Sequence, residues 1–250
     1  MSTDLFLPCF TLFAFSGAFL WLVGAAAFFR EDWPESPYCA PWLGYGILVG
    51  VLQVVHLFSP ITLAVSILVL ATASVLASVV LIARWLKKRP DRKSIRRWVT
   101  FFILLAVIAP LAFVPVFNCC TKEVFPYDLG LYYLQTIRWN ETFSIVRGLV
   151  NLQPQLAFNQ SAFLVAALFD SLLPNRWGVF LIGGVLPWLG FSLSLFAVVR
   201  IALSQFPRAT DARPLEVAYA ISLPAWIFIV LGGSISSASP DSVSFCLMLH

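Results

Sequence analysis

Apolar residues in this chain fill long unbroken runs, and polar residues gather in the gaps between them. Runs of roughly 20 residues match the hydrocarbon thickness of a bilayer. They fall at Leu5–Phe29, Trp42–Phe58, Ile61–Leu86, Trp98–Phe117, Trp177–Leu203 and Leu215–Ile235, and they predict six membrane-crossing helices. Ser59-Pro60 predicts a tight corner between the second and third, because proline has no amide hydrogen with which to continue a helix. The expected fold class is all-α, a polytopic transmembrane helix bundle.

Composition sharpens this. With 60% hydrophobic and 11% charged residues in 250, and a mean hydropathy of +0.89, the chain lies outside the soluble globular range and uses lipid as its solvent. The first run has no basic start and no small-residue cleavage site, so it reads as a retained helix and not a signal peptide. The net charge of +4 does not mark a nucleic-acid footprint: eight of the 16 basic residues fall between Arg84 and Arg97, with Asp91 as the one acid among them. Such a cluster, flanked by Trp85 and Trp98 as interfacial anchors, is a topology signal, and no nucleic-acid partner is expected. The five cysteines form no CxxC pair, which argues against a disulfide framework or a zinc site.

The positive-inside rule places the basic loop in the cytoplasm, so the fourth helix exits and the polar segment Asn118–Asn159 lies outside. Phe158–Leu173, with Asn159, Gln160 and Asp170 in it, is short for a crossing and predicts an interfacial or re-entrant helix. Trp177–Leu203 then runs inward, Arg200, Arg208 and Arg213 face the cytoplasm, and Leu215–Ile235 returns outward. This puts residues 118–176 on the external face and brings Asp241 to the same side as Asp128. The apolar Val243–Leu249 is too short to cross and predicts the N-terminal part of a longer protein. Two regions follow: 1–97, three helices ending in the basic loop, and 98–250, the start of a second membrane module truncated at its C-terminus.

The external segment carries the candidate chemistry. Asp128 follows Pro126-Tyr127 and is surrounded in sequence by aromatic and apolar residues. Desolvation there would make its carboxylate a better proton acceptor near neutral pH, which suits a general base. The same residue also suits the N-cap of a helix predicted over Leu129–Asn140. That helix reads as lying in the headgroup layer or as a structural lid. Arg138 and Arg147 are candidates for holding a lipid-linked phosphate, or for contact with lipid headgroups, since guanidinium binds phosphate in a bidentate way. His56 reads as packed, and Asp170 and Glu216 as interfacial. A Gly-rich phosphate loop, a Ser/His/Asp order and a His metal cluster are all missing; no cofactor is expected, with a divalent metal left open.

From Tyr127 to Asn140, then through Gly148-Leu149-Val150-Asn151-Leu152 and Leu156–Ser161, the chain resembles a group of bacterial polytopic membrane proteins. These are similar to the C-type glycosyltransferase superfamily, which includes the dolichyl-phosphate-mannose protein mannosyltransferases and the lipid A aminoarabinose transferases. Tyr133 and Gln153 stand where that pattern has histidines, and Arg138 where it has lysine. The resemblance implies a GT-C-like module with interfacial helices in an external loop. It further implies an inverting glycosyltransferase of the bacterial inner membrane, working in envelope polysaccharide or glycolipid assembly. Such an enzyme moves a sugar from a polyprenyl-phosphate donor to a glycan or lipid acceptor. Asp128 and Asp241 match the catalytic and second acidic places, and Tyr127, Tyr132, Tyr133, Gln135, Arg138, Arg147, Asn151 and Asn159 would bind substrate. Two other classes fit the bare sequence: a transporter or flippase of lipid-linked sugars, and a non-catalytic membrane scaffold.

Overall fold

The computed structural model describes residues 6–28, 36–87, 92–120, 129–148, 151, 154, 161–173, 177–203 and 214–231. The helices are α1 (Phe6–Phe28), α2 (Ser36–His56), α3 (Leu63–Lys87), α4 (Arg92–Cys120), α5 (Leu134–Thr142), α6 (Ser161–Leu172), α7 (Trp177–Leu203) and α8 (Pro214–Leu231). A π turn, Leu129–Tyr133, leads directly into α5. α1 to α4 and α7 are long and apolar enough to cross a membrane. The sixth expected crossing is described only as far as Leu231, as α8. The chain is an all-α, polytopic integral membrane protein.

The cationic stretch between the third and fourth helices is less of a loop than its charge suggested. Arg84 and Lys87 lie in the last turn of α3, and α4 begins at Arg92, six residues before the apolar run. Arginine and lysine are good helix formers, so the helices extend past the apolar runs into water. At the end of α3 they also complement the helix dipole.

Glycine sets the closest helix contact. A Cβ added at Gly24 of α1 would strike the carbonyl of Ala40 in α2, and one at Gly44 of α2 would strike the carbonyl of Leu20. Small residues let two backbones meet where lipid supplies no hydrophobic drive. α7 is the axis of the bundle: 78% of its apolar window is buried, against 17% for α3. Phe13 meets Phe113 and Trp188 edge-on at 5.1 and 5.7 Å, filling the space between α1, α4 and α7. Trp226 of α8 fits over Gly190 of α7. On the rim, α3 presents Leu68, Val75, Leu76 and Ile82 outward, an apolar face suited to lipid.

Of the two forms expected for Phe158–Leu173, interfacial or re-entrant, α6 departs from the first. Its residues Phe163 to Asp170 are all buried, and eight consecutive residues exceed two full turns, so every side is covered. The covering elements are α2, α3, α5 and α7. A helix covered on every side has no face to give to water, and this one is held at both ends by polar contacts. Gln53 donates to Ser161 at one end, and Ser171 donates to Ser66 at 2.8 Å at the other.

The contacts sort the helix ends into two groups. Trp21 lies against Phe101 and Phe102, Phe101 against Phe196, and Tyr38 reaches Glu216, so Arg84, Lys87, Arg92, Arg200 and Glu216 belong to one end. At the other, Phe6 meets Phe113 and Phe117, and Cys119 donates to the carbonyl of Val230 at 2.6 Å. The cationic residues of two separate connections thus share an end.

Glu216, expected at the interface, lies at that end of the bundle but is buried between helices, with 2% of its side chain exposed, paired to Arg200 at 39% exposure. Arg200 Nη2 donates to Oε2 at 2.6 Å and Tyr38 Oη to Oε1 at 3.3 Å, while Trp42 Nε1 donates to Tyr219 Oη at 2.6 Å. A buried charge left alone costs more than an exposed one. Arg200→Met, which strands the carboxylate, is therefore expected to destabilise by about 3 kcal/mol. Glu216→Gln leaves an arginine that reaches water and should cost about 1 kcal/mol. Denaturant melts of the two variants in micelles check the order, and equal losses would refute it.

Candidate functional site

The end opposite the cationic connections carries the polar segment. The expected helix from Leu129 is present, as the π turn followed by α5, and it ends at Thr142. Phe143 leaves helical backbone at φ −128°, ψ 149°, while its amide still reaches the carbonyl of Trp139 at 2.8 Å. π turns are uncommon and are often found at functional positions.

α5 is fixed to the bundle from two sides. Beneath it, Ile137 is wholly buried and Tyr133 nearly so, the tyrosine ring lying 5.1 Å from Phe163 of α6. At its far end the corner between α2 and α3 grips it. The amide of Ile61 donates to the carbonyl of Asn140 at 2.7 Å, and that of Ile145 to the carbonyl of His56 at 3.2 Å. His56 Nε2 lies 3.1 Å from the carbonyl of Phe143. The segment then turns through Gly148, whose φ of +80° suits glycine, and Asn151 closes the turn by donating to the Gly148 carbonyl at 3.0 Å.

This frame separates the candidate residues. Gln135 and Arg138 are exposed one helical turn apart, so an amide and a guanidinium point from the same face of α5. Arg147 and Asn151 are exposed on either side of Gly148, and Tyr132 is half-buried, edge-on to Tyr133 at 4.6 Å. Tyr133, expected to contact substrate, is 4% exposed, and its ring packs on the floor of α5. Tyr127, Asp128, Asn159 and Asp241 lie outside the described residues. Among the described residues no three His, Cys, Asp or Glu groups converge as a metal site would need. What remains is a surface of hydrogen-bond donors able to bind an anion or a hydroxyl-rich group.

A scan against family models matches residues 5–250 to the family described as Domain of unknown function (DUF8201). The chain belongs to that family. The DUF8201 match takes in the first three helices together with the polar segment, so the family's unit includes both regions separated in the sequence reading. No curated protein and no solved structure matches this DUF8201 chain.

His56 is the residue whose importance the sequence concealed. It stands alone in an apolar run, 87 positions from the carbonyl it contacts. Asp170 was read as interfacial, yet it is buried within α6, against Gly178 at the start of α7. Removing the imidazole in His56→Ala should free the C-terminal end of α5. Loss of one partly buried hydrogen bond, about 1 kcal/mol, corresponds to roughly fivefold faster opening. Hydrogen exchange of the α5 amides reads this directly, and His56→Gln, which keeps a donor, should restore much of the protection.

Proposed function

We propose that this chain is a membrane glycosyltransferase of the C type, or the N-terminal part of one. It moves a sugar from a polyprenyl-phosphate donor to a glycan or lipid acceptor on the external face of a bacterial inner membrane. The observation that carries the reading is α5 itself. A helix begins immediately after Asp128 in the chain, is held from below and at its end, and turns Gln135 and Arg138 outward. Asp128 would then accept the proton of the acceptor hydroxyl as that oxygen attacks the anomeric carbon with inversion, and the donor phosphate would leave toward the cations. Arg138 and Arg147 are the phosphate candidates, with Tyr132, Gln135 and Asn151 toward the sugar. Asp241 is the second carboxylate.

The resemblance in the Tyr127–Ser161 stretch supports this reading, as does the grouping of cationic residues from two connections at the end of the bundle opposite α5, the pattern expected of a cytoplasmic face. A flippase would place acids along helices that line a path. Asp170 and Glu216 are the buried acids among the described residues, and Glu216 is paired at the cationic end. The direct test supplies membranes containing the full-length protein with labelled polyprenyl-phosphate sugars. Formation of labelled acceptor is expected; labelled donor carried across the bilayer without transfer would favour the flippase.

A further inference from the structure

The stretch Phe143–Arg147 lies outside every helix, yet it exposes three large apolar side chains in a row of five residues. Phe143, Ile145 and Val146 are 47%, 49% and 40% exposed, and none is needed to cover the core. Side chains of this kind on a water-facing loop would be costly, because the apolar surface gains nothing until it is removed from water. Their location resolves the difficulty. The amide of Ile145 is bonded to the carbonyl of His56, and Ile61 to Asn140, so the loop lies alongside the corner that joins α2 to α3. Both of those helices are long and apolar enough to cross the membrane, which puts their shared corner at a bilayer surface.

That corner has the same character. Leu57 and Phe58 are 54% and 83% exposed, and the next residues, Ser59-Pro60, turn the chain back. Past the turn, α3 opens with Leu63 and Ile67, 50% and 53% exposed, at the start of its lipid-suited face. Trp139, 5.0 Å from the ring of Phe143, supplies the aromatic group that favours the headgroup boundary. Immediately beyond the apolar residues comes exposed Arg147, and exposed Arg138 stands on the adjoining helix. Apolar residues at acyl depth with guanidinium groups at the phosphates is the arrangement of a segment seated in a leaflet.

We infer that Phe143–Arg147, together with Leu57-Phe58, forms a second kind of membrane contact: a non-spanning rim inserted into the leaflet at this end of the bundle, where Arg147 and the neighbouring Arg138 of α5 bind phosphates of anionic phospholipids. The rim fixes the depth of α5, and with it the height of Gln135 and Arg138 above the acyl layer. This holds whether or not the chain transfers sugar, since it rests only on the spanning helices and the contacts at their corner.

The test uses the full chain in nanodiscs of phosphatidylcholine and phosphatidylglycerol. Val146→Cys carries an environment-sensitive fluorophore, with identically treated wild type subtracted and Leu76→Cys, on the outer face of α3, setting the scale for lipid contact. Nitroxide placed high on the acyl chain is expected to quench the Val146→Cys label at least about half as strongly as the Leu76→Cys label, with aqueous iodide having little effect. Strong iodide quenching without nitroxide quenching would overturn the insertion. In a second arm, Arg138→Gln with Arg147→Gln should reduce retained phosphatidylglycerol relative to phosphatidylcholine by roughly fivefold per arginine, read by native mass spectrometry. Unchanged retention would overturn the phosphate contact.

Discussion

Membranes carrying Asp128→Asn are expected to transfer sugar about a hundredfold to ten-thousandfold more slowly than wild type, the usual contribution of a positioned general base. The substitution is chosen because it separates two roles the residue could hold. Asparagine caps a helix about as well as aspartate, so if capping the turn at Leu129 were the whole role, both folding and transfer would survive. Asparagine cannot accept the acceptor's proton, so a base would be lost with the fold intact. Asp128→Ala removes both abilities and should add a loss of about 1 kcal/mol in stability to the loss of rate. Equal transfer by wild type and Asp128→Asn would remove the base from the mechanism.

The second large effect concerns folding. Gly44→Val should prevent α1 and α2 from meeting, because the new side chain would occupy the place of the Leu20 carbonyl. Overpacking of a close contact costs about 3 kcal/mol when the backbone must move. A nearby glycine gives the control: Gly46 has nothing within 4 Å of an added Cβ and is exposed. Gly46→Val should therefore purify and melt like wild type, while Gly44→Val aggregates or melts far lower. Similar behaviour of the two would show that the close approach is not what holds this pair together.

The spanning helices were legible in the sequence because long apolar runs have few other uses, and the Ser59-Pro60 corner because proline leaves few choices there. Position within the bundle was not legible. Ser161–Leu172 reads as the same short apolar run whether it lies on a membrane or inside a protein, and only its neighbours decide. Glu216 looked like an interfacial acid because its partner, Arg200, sits in a different helix and the tyrosine that also reaches it lies 178 positions away. The burial of Tyr133 was hidden for a related reason. Its motif gives its identity, but which side of α5 faces Phe163 depends on how that helix docks. The exposed pair Gln135 and Arg138 could be expected from helical spacing once the helix was assigned.

The enclosure of α6 also bears on how the chain is assembled. A 12-residue apolar helix is too short to enter a bilayer as a spanning segment in its own right. The wall that closes over it includes α7, which follows it in the chain. During synthesis from the N-terminus, α6 therefore emerges before its housing is complete and must wait for the next helix. Its apolar surface is open during that interval, and the serines at its two ends find Gln53 and Ser66 as it settles. Insertion of α7 thus completes the cover over α6, and delay at that step would leave part of a hydrophobic helix open to misassembly.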